Sequence, residues 1–312
     1  MKHPRPSEPV TSLPFTPVIA RPLPCSVTPF PNETLGSYTR RLAAANQTTS
    51  RTLFTPSRWL RCPLNELELL ELLSGQPRTT LVWAIPELRR HAPGIAPAPR
   101  TPGVTTRFAC RRCIWQSGGA GTVHVHARTH YDNVCVRHGI WHSDGVETLD
   151  QQIDLAPAPE VIRAQLTLDR LEQRRGEAFV AECYRQCERV WLALETRGLV
   201  RSEVDDLLRR LCEPNTPTGP DPLAPFHRFR RVARFPQLVR FVVWAVSPSL
   251  RRVARSAWEA ADHVIPAEFE RAFPLDHRPR STTGPWMCDA LINLLKRIDS
   301  HAQLIPGSGP AT

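Results

Sequence analysis

The sequence predicts a mainly α protein with a small zinc-ribbon insert, a helix-turn-helix-like N-terminal domain before it and a C-terminal helical bundle after it. Three observations predict this class. Apolar residues recur at helical spacing over most of the chain, two cysteine-containing pairs interrupt that pattern, and clustered prolines divide the chain into short modules. With 312 residues, of which 41% are hydrophobic and 22% charged, there is apolar material for more than one core, and 32 prolines suit stiff connectors.

In chain order, residues 1–22 are polar and proline-rich and read as a flexible leader without a secretory signal. Residues 23–91 read as a helical N-terminal domain. Its first helix starts at Pro31-Asn32-Glu33-Thr34-Leu35, where Asn32 would cap free N–H groups and Glu33 would face the positive end of the helix dipole. Leu35, Tyr38, Leu42 and Ala45 form its apolar stripe and leave Arg40 and Arg41 pointing elsewhere. A second helix runs from about Asn65 to Leu73 and stops at Gly75; a third runs from about Thr79 to Ile85 and stops at Pro86. Three short helices with tight connections suggest the helix-turn-helix type.

Residues 92–106 are a linker by composition, and the zinc ribbon spans 107–146. Inside it Thr122-Val123-His124-Val125-His126-Ala127 alternates with period two and predicts a strand. The region 147–212 returns to helix, with helices over Glu160–Arg174 and Glu177–Thr196, the second burying Phe179, Cys183, Cys187, Val190 and Leu194. Residues 213–225 form a Pro-rich linker, and 226–303 an Arg-rich helical region interrupted at Pro236 and Pro248. Residues 304–312 read as a disordered tail.

Chemistry concentrates in the ribbon. Cys110-Arg111-Arg112-Cys113 places two thiols on one tight turn, and after twenty-one intervening residues Cys135-Val136-Arg137-His138 repeats the geometry with an imidazole in fourth place. Two such pairs suit tetrahedral Zn2+, one ion per chain, and a filled Cys3His set leaves no open coordination position for catalysis. Gly139 directly after His138 permits a sharp turn. Nine cysteines unevenly spaced in a long chain argue against a secreted disulfide scaffold. Cys183 and Cys187 read as small buried hydrophobes, and Cys25, Cys62, Cys212 and Cys288 as isolated structural residues.

Two segments carry a family resemblance. Leu23-Pro24, then Phe30-Pro31-Asn32-Glu33-Thr34-Leu35-Gly36-Ser37-Tyr38-Thr39-Arg40-Arg41-Leu42-Ala43, with Leu73-Ser74-Gly75 downstream, is one. Phe108-Ala109-Cys110-Arg111-Arg112-Cys113 with Val134-Cys135-Val136-Arg137-His138-Gly139 is the other. In order and approximate spacing they resemble the TniQ family of transposition target-selection proteins over about residues 23–145. Family members often follow the His-Gly with another Cys-x-x-Cys, whereas Ile140-Trp141-His142-Ser143-Asp144-Gly145 holds no cysteine. The resemblance implies a non-catalytic adaptor that binds DNA or an RNA-guided complex and recruits an AAA+ ATPase. A stand-alone zinc-dependent DNA-binding transcriptional regulator is the alternative.

Electrostatics fits a nucleic-acid partner. The net charge is +10 and nearly all of it is arginine, Lys2 and Lys296 being the two lysines. Eight arginines and no acid lie between Phe226 and Trp258, and eight more against Asp132 alone between Arg89 and Arg137. Arg111, Arg112, Arg228, Arg230, Arg231 and Arg234 are the candidate phosphate contacts, with the interleaved Phe226, Phe229, Phe235, Phe241 and Trp244 buried behind them. A solvated arginine face from codon bias is the competing reading. Arg40 and Arg41 are the candidate contacts for the ATPase. Acidic residues gather in 147–221, which suggests a face for protein. His124, His126, His130 and His142 could mark a second metal or a hydrolytic centre, but no catalytic motif accompanies them. The longest apolar run, Phe241 to Val246, is too short for a bilayer, so no membrane is expected and the chain reads as cytoplasmic and nucleoid-associated.

Overall fold

A computed structural model describes residues 21–53, 64–92, 94–95, 106–117, 121–143, 146–200, 202–212, 224–250, 261–273 and 285–304. Among these no helix is long and apolar enough to cross a membrane. The molecule is mainly helical, with small antiparallel sheets beside a Cys3His cluster. It divides into two compact units, residues 1–99 and 100–312. The expected leader up to residue 20, Cys62, most of the linker residues 92–105, residues 213–223, Arg251, Arg252 and Arg255, and the tail after 304 lie outside the described residues.

In the first unit, helix α1 (Leu35–Ala45) is followed by α2 (Glu66–Ser74), α3 (Arg78–Ala84) and a 3-10 turn over Pro86–His91. Thr34, not Asn32, caps α1: its hydroxyl accepts from Ser37 N at 3.1 Å. Asn32 instead takes φ +58° in a turn closed by Glu33 N to Phe30 O, the left-handed value that follows proline in a type II turn. Of the expected stripe Tyr38 and Leu42 are buried, Leu35 is half-buried and Ala45 is exposed, while Ala43 is buried beside them. The buried three pack with Leu67, Leu70, Leu81, Val82, Ile85 and Leu88. Asn65 forms a capping box with Glu68, and Gly75 closes α2 at φ +64°. The entering chain is tied down by Leu23 N to Leu73 O at 2.8 Å and Tyr38 OH to Val27 O at 3.0 Å.

Glu33 is fully buried and accepts from Phe30 N, Ser37 Oγ and Arg41 Nη1 at 2.9, 2.9 and 2.8 Å. Arg41 is therefore not an exposed contact. Its side chain is 11% exposed and also donates to Thr28 O. Arg40 is exposed, its Nε donating to Gly36 O at 3.1 Å.

In the second unit, strands β1 (Thr106–Phe108) and β2 (His124–His126) pair antiparallel, Arg107 opposite Val125. Strands β3 (Val134–Cys135), β4 (Ile140–Trp141) and β5 (Ile153–Asp154) form a second antiparallel sheet in that order, with α4 (Arg111–Gln116) between β1 and β2. Helices α5 (Pro159–Arg175), α6 (Glu177–Thr196), α7 (Ser202–Cys212), α8 (Ala224–Ala245), α9 (Ala261–Ala272) and α10 (Pro285–Leu304) follow. Tyr131, Val134 and Trp141 share one apolar cluster with these helices, so the small sheet is built into the helical core. Cys183 and Cys187 are fully buried, as expected of small hydrophobes, whereas Cys25 is exposed.

Helix α8 runs unbroken through Pro236, where an interruption is expected. Proline removes one N–H and crowds the carbonyl four residues back, at a cost of about 3 kcal/mol. Phe229, Val232, Phe235, Val239, Phe241 and Val242 are all buried around it, and that burial, at about 1.5–3 kcal/mol per large side chain, outweighs one lost bond. At its C-terminal end Phe241 meets Phe269 and Phe273 edge-on at 5.5 and 5.7 Å, and those two rings stack at 4.9 Å.

Candidate metal centre

The ligand loop begins where β1 ends. Ala109 N donates to Val123 O at 2.8 Å, so Cys110 leaves the hairpin at a defined point and caps α4, its carbonyl accepting from Ile114 N. Cys113 follows one helical turn on. On the other side, β3 delivers Cys135 into a tight turn in which His138 N and Gly139 N both donate to Cys135 O, at 3.1 and 2.8 Å. Gly139 has φ +61°, and a Cβ there would meet Ile162 Cδ1 at 3.2 Å, so conformation and space both call for glycine.

The turns converge as expected. The four ligand atoms of Cys110, Cys113, Cys135 and His138 all lie within 4.8 Å of one another, and among the described residues no other group of three or more His, Cys, Asp or Glu does so. Cys113 Sγ is 3.7 Å from Cys135 Sγ, and His138 Nδ1 is 3.6, 3.1 and 3.6 Å from the sulfurs of Cys110, Cys113 and Cys135. A zinc tetrahedron with Zn–S of about 2.3 Å and Zn–N of about 2.0–2.1 Å has edges of about 3.8 Å and 3.6 Å, which these separations approach. The cluster can hold a metal ion such as zinc.

Its electrostatics asks for a cation. The thiol of Cys135 is lowered, chiefly by its hydrogen bond with Cys110, whereas Cys110 is raised by that same contact and by burial, and Cys113 by burial. Without a cation the three thiols compete for one negative charge; a divalent ion would let all three ionise.

A second set of contacts orients the ligands. His138 Nε2 lies 3.1 Å from Gln116 Oε1, a pairing that puts the proton on Nε2 and leaves Nδ1 bare toward the cluster. Gln152, buried, donates to Ala109 O at 2.9 Å and accepts from Arg111 N at 2.8 Å, pinning the Cys110 loop to the start of β5. Arg112 donates to His138 O at 3.0 Å and pairs with Asp154 at 2.7 Å. Arg112 thus braces the knuckle, with its side chain still 49% exposed. Gln116, Gln152 and Asp154 escape sequence reasoning because no spacing rule marks them.

The histidines outside the ligand set do other work. His142 is buried, its Nδ1 donating to Phe108 O at 3.0 Å, and burial beside Arg107 pushes its pKa down to about 4. His130 packs edge-on against Tyr131 and Tyr184 at 5.1 Å, and His124 lies against Phe108 at 4.7 Å. Since His142 takes up a proton more readily unfolded than folded, stability should fall as pH drops from about 6.5 to 4, by up to about 1.4 kcal/mol per pH unit. With zinc held saturating, His142→Gln should flatten that slope in urea titrations; an unchanged slope would assign it to other groups.

The arginines of α8 do not form an outward strip. Arg230 and Arg234 each donate through Nε to Glu195, at 2.6 Å, and that carboxylate is 4% exposed. Arg228 lies over the ring of Phe229 at 5.7 Å, while Arg231 is exposed. Phe229, Phe235 and Phe241 are buried as expected; Phe226 is exposed, at 41%. Arg230, Arg231 and Arg234 line a cleft of about 860 Å³ instead. At least one acid of the 147–221 stretch, Glu195, thus serves the chain's own arginines.

No protein-family model, curated protein or solved structure matches the chain.

Proposed function

We propose that the chain is a non-catalytic, zinc-structured adaptor of the TniQ kind, which binds DNA or a nucleic-acid complex and recruits an AAA+ regulator of transposition. The observation that carries this reading is the Cys-x-x-Cys and Cys-x-x-His-Gly pairs closing into one four-ligand cluster. Four protein ligands fill a tetrahedral zinc, so the metal would hold the fold and activate no water. The net charge of +10 supports a polyanionic partner. Arg111 and the exposed Arg231 remain the candidate contacts for phosphate, and Arg40 for an acidic patch on the ATPase.

Two measurements test the reading. Duplex binding should weaken steeply with salt, since each phosphate contact releases counterions, and Arg231→Gln should lower the log–log slope by about 1. Co-purification with AAA+ proteins encoded beside the gene, with and without DNA, tests recruitment. Arg40→Glu should weaken that capture moderately and in a salt-dependent way while zinc content stays unchanged. A chain that captures no ATPase yet binds one specific operator near its own gene would replace the adaptor with a zinc-dependent transcriptional regulator.

A further inference from the structure

The 860 Å³ cleft lies wholly within the second unit, lined by the β1–β2 hairpin on one side and by α6 and α8 on the other. That volume is in the range of small-molecule sites, about 300–1,000 Å³. Its lining is of two kinds. Trp141 and Phe235, both buried, meet edge-to-face at 5.3 Å, with Tyr184 beside Phe235 at 6.4 Å and the Phe108–His124 ring pair on the hairpin side. Against these aromatic surfaces stand four guanidinium groups, from Arg107, Arg230, Arg231 and Arg234, and one lining carboxylate, Glu188. Counting the carboxylates that Arg107, Arg230 and Arg234 already engage, Asp132 and Glu195, the cations remain in excess.

The deep wall holds unsatisfied polar atoms. The Arg107 side chain is 10% exposed, and one terminal nitrogen pairs with Asp132 at 2.6 Å. Its Nε and Nη1 are buried without a partner, and so is Oδ1 of Asn133, another lining residue. Buried donors and an acceptor left over are uncommon in folded proteins, and these atoms are closed off from the cleft itself. On α8, Arg230 and Arg234 engage Glu195 through Nε, and a guanidinium has four further N–H groups.

We infer that this cleft binds a nucleoside phosphate, its flat base against the half-buried Phe108 and His124 rings and its phosphate among the arginines of α8. A metal cation is excluded by the guanidinium groups. An inorganic anion leaves the aromatic surfaces and most of the volume unused. A phosphorylated nucleoside supplies a stacking ring for Phe108 and His124 and negative charge for Arg231 and its neighbours. It can be a free nucleotide or an unpaired nucleotide of a strand; the strand form deepens the proposed nucleic-acid association and rests on it.

Calorimetry on the zinc-loaded full chain tests this with AMP, adenosine, inorganic phosphate and a 5′-phosphorylated single-stranded tetranucleotide. AMP should bind about tenfold more tightly than adenosine or phosphate alone, because base and charge are both recognised. Arg231→Gln should weaken AMP about tenfold, and so should Leu192→Glu, which sets a carboxylate on a 38% exposed lining position. Unchanged zinc content and circular dichroism would show that both variants fold. A tetranucleotide tighter than AMP identifies a strand as the source; AMP equal or tighter identifies the free nucleotide. Absence of binding by AMP and tetranucleotide alike, affinity indifferent to both variants, or phosphate binding as tightly as AMP would each overturn the inference. Duplex affinity of the same preparation reports separately on the adaptor reading: duplex binding without AMP binding sinks the cleft alone.

Discussion

Cys113→Ser is expected to yield a chain without metal whose second unit no longer melts as one transition. The wild type should carry one zinc per chain by elemental analysis, and this variant none. A serine oxygen replaces a thiolate that lies 3.1 Å from His138 Nδ1 and 3.7 Å from Cys135 Sγ, and three remaining ligands bind zinc far more weakly. Structural zinc contributes about 10–16 kcal/mol in small zinc peptides, comparable to the whole stability of a domain, about 5–15 kcal/mol. The loss reaches the helices because Val134 and Trp141, on the strands that flank the His138 turn, belong to the same apolar cluster as α5, α6 and α8. Limited proteolysis should open residues 106–155 first, and EDTA on the wild type should reproduce the pattern. Cys183→Ser, on a buried helical face, should keep its zinc and lose only packing stability. Retention of the wild-type melting curve by metal-free Cys113→Ser would show that the apo knuckle folds unaided.

Where a feature depends on neighbours in sequence, it could be read in advance. The ligand set was legible because each pair sits on one tight turn, so residue type and spacing carry the geometry. Gly75 as the stop of α2 and the helices over 159–175 and 177–196 were legible for the same reason. The cap of α1 was not: Asn32 and Thr34 are both capping residues, and only the turn after Pro31 decides between them. The pairing of the α8 arginines is not legible, because a charge run does not say what faces it. Glu195 lies 35 and 39 residues before its two partners, and sequence alone does not bring α6 against α8. Pro236 predicts a break because local sterics speak against helix, while the packing that overrides them comes from other helices. The small sheet is the insert that the ligand pairs predict; that it also shares a core with the helices follows from long-range contacts of Tyr131, Val134 and Trp141.

The two neighbouring arginines of α1 should behave very differently when reversed, although sequence alone treats them as equivalent. Arg41→Glu is expected to unfold the first unit or to destabilise it by about 3–5 kcal/mol, the range for breaking one partner out of a buried ion pair. Glu33 is fully buried, and Arg41 is the one cation bonded to it among the described residues, at 2.8 Å. Reversal puts a second carboxylate where the guanidinium was and also removes the donor to Thr28 O, which helps hold the entering chain. Against a typical stability of about 5–15 kcal/mol such a loss is large. Arg41→Gln should fall between, since it keeps a donor and removes the charge. Leu42→Asp, at a fully buried position of the same helix, sets the scale for an unpaired buried charge. Arg40→Glu should stay within about 0.5 kcal/mol, because the side chain is exposed. Urea titrations followed by circular dichroism would rank the four variants. Arg41→Glu unfolding with the wild-type midpoint would mean that water reaches Glu33 and that the pair is a surface contact. The ranking also decides how the proposed ATPase recruitment must be tested: Arg40→Glu alone can report on it, whereas any variant of Arg41 would confuse a lost contact with a lost fold.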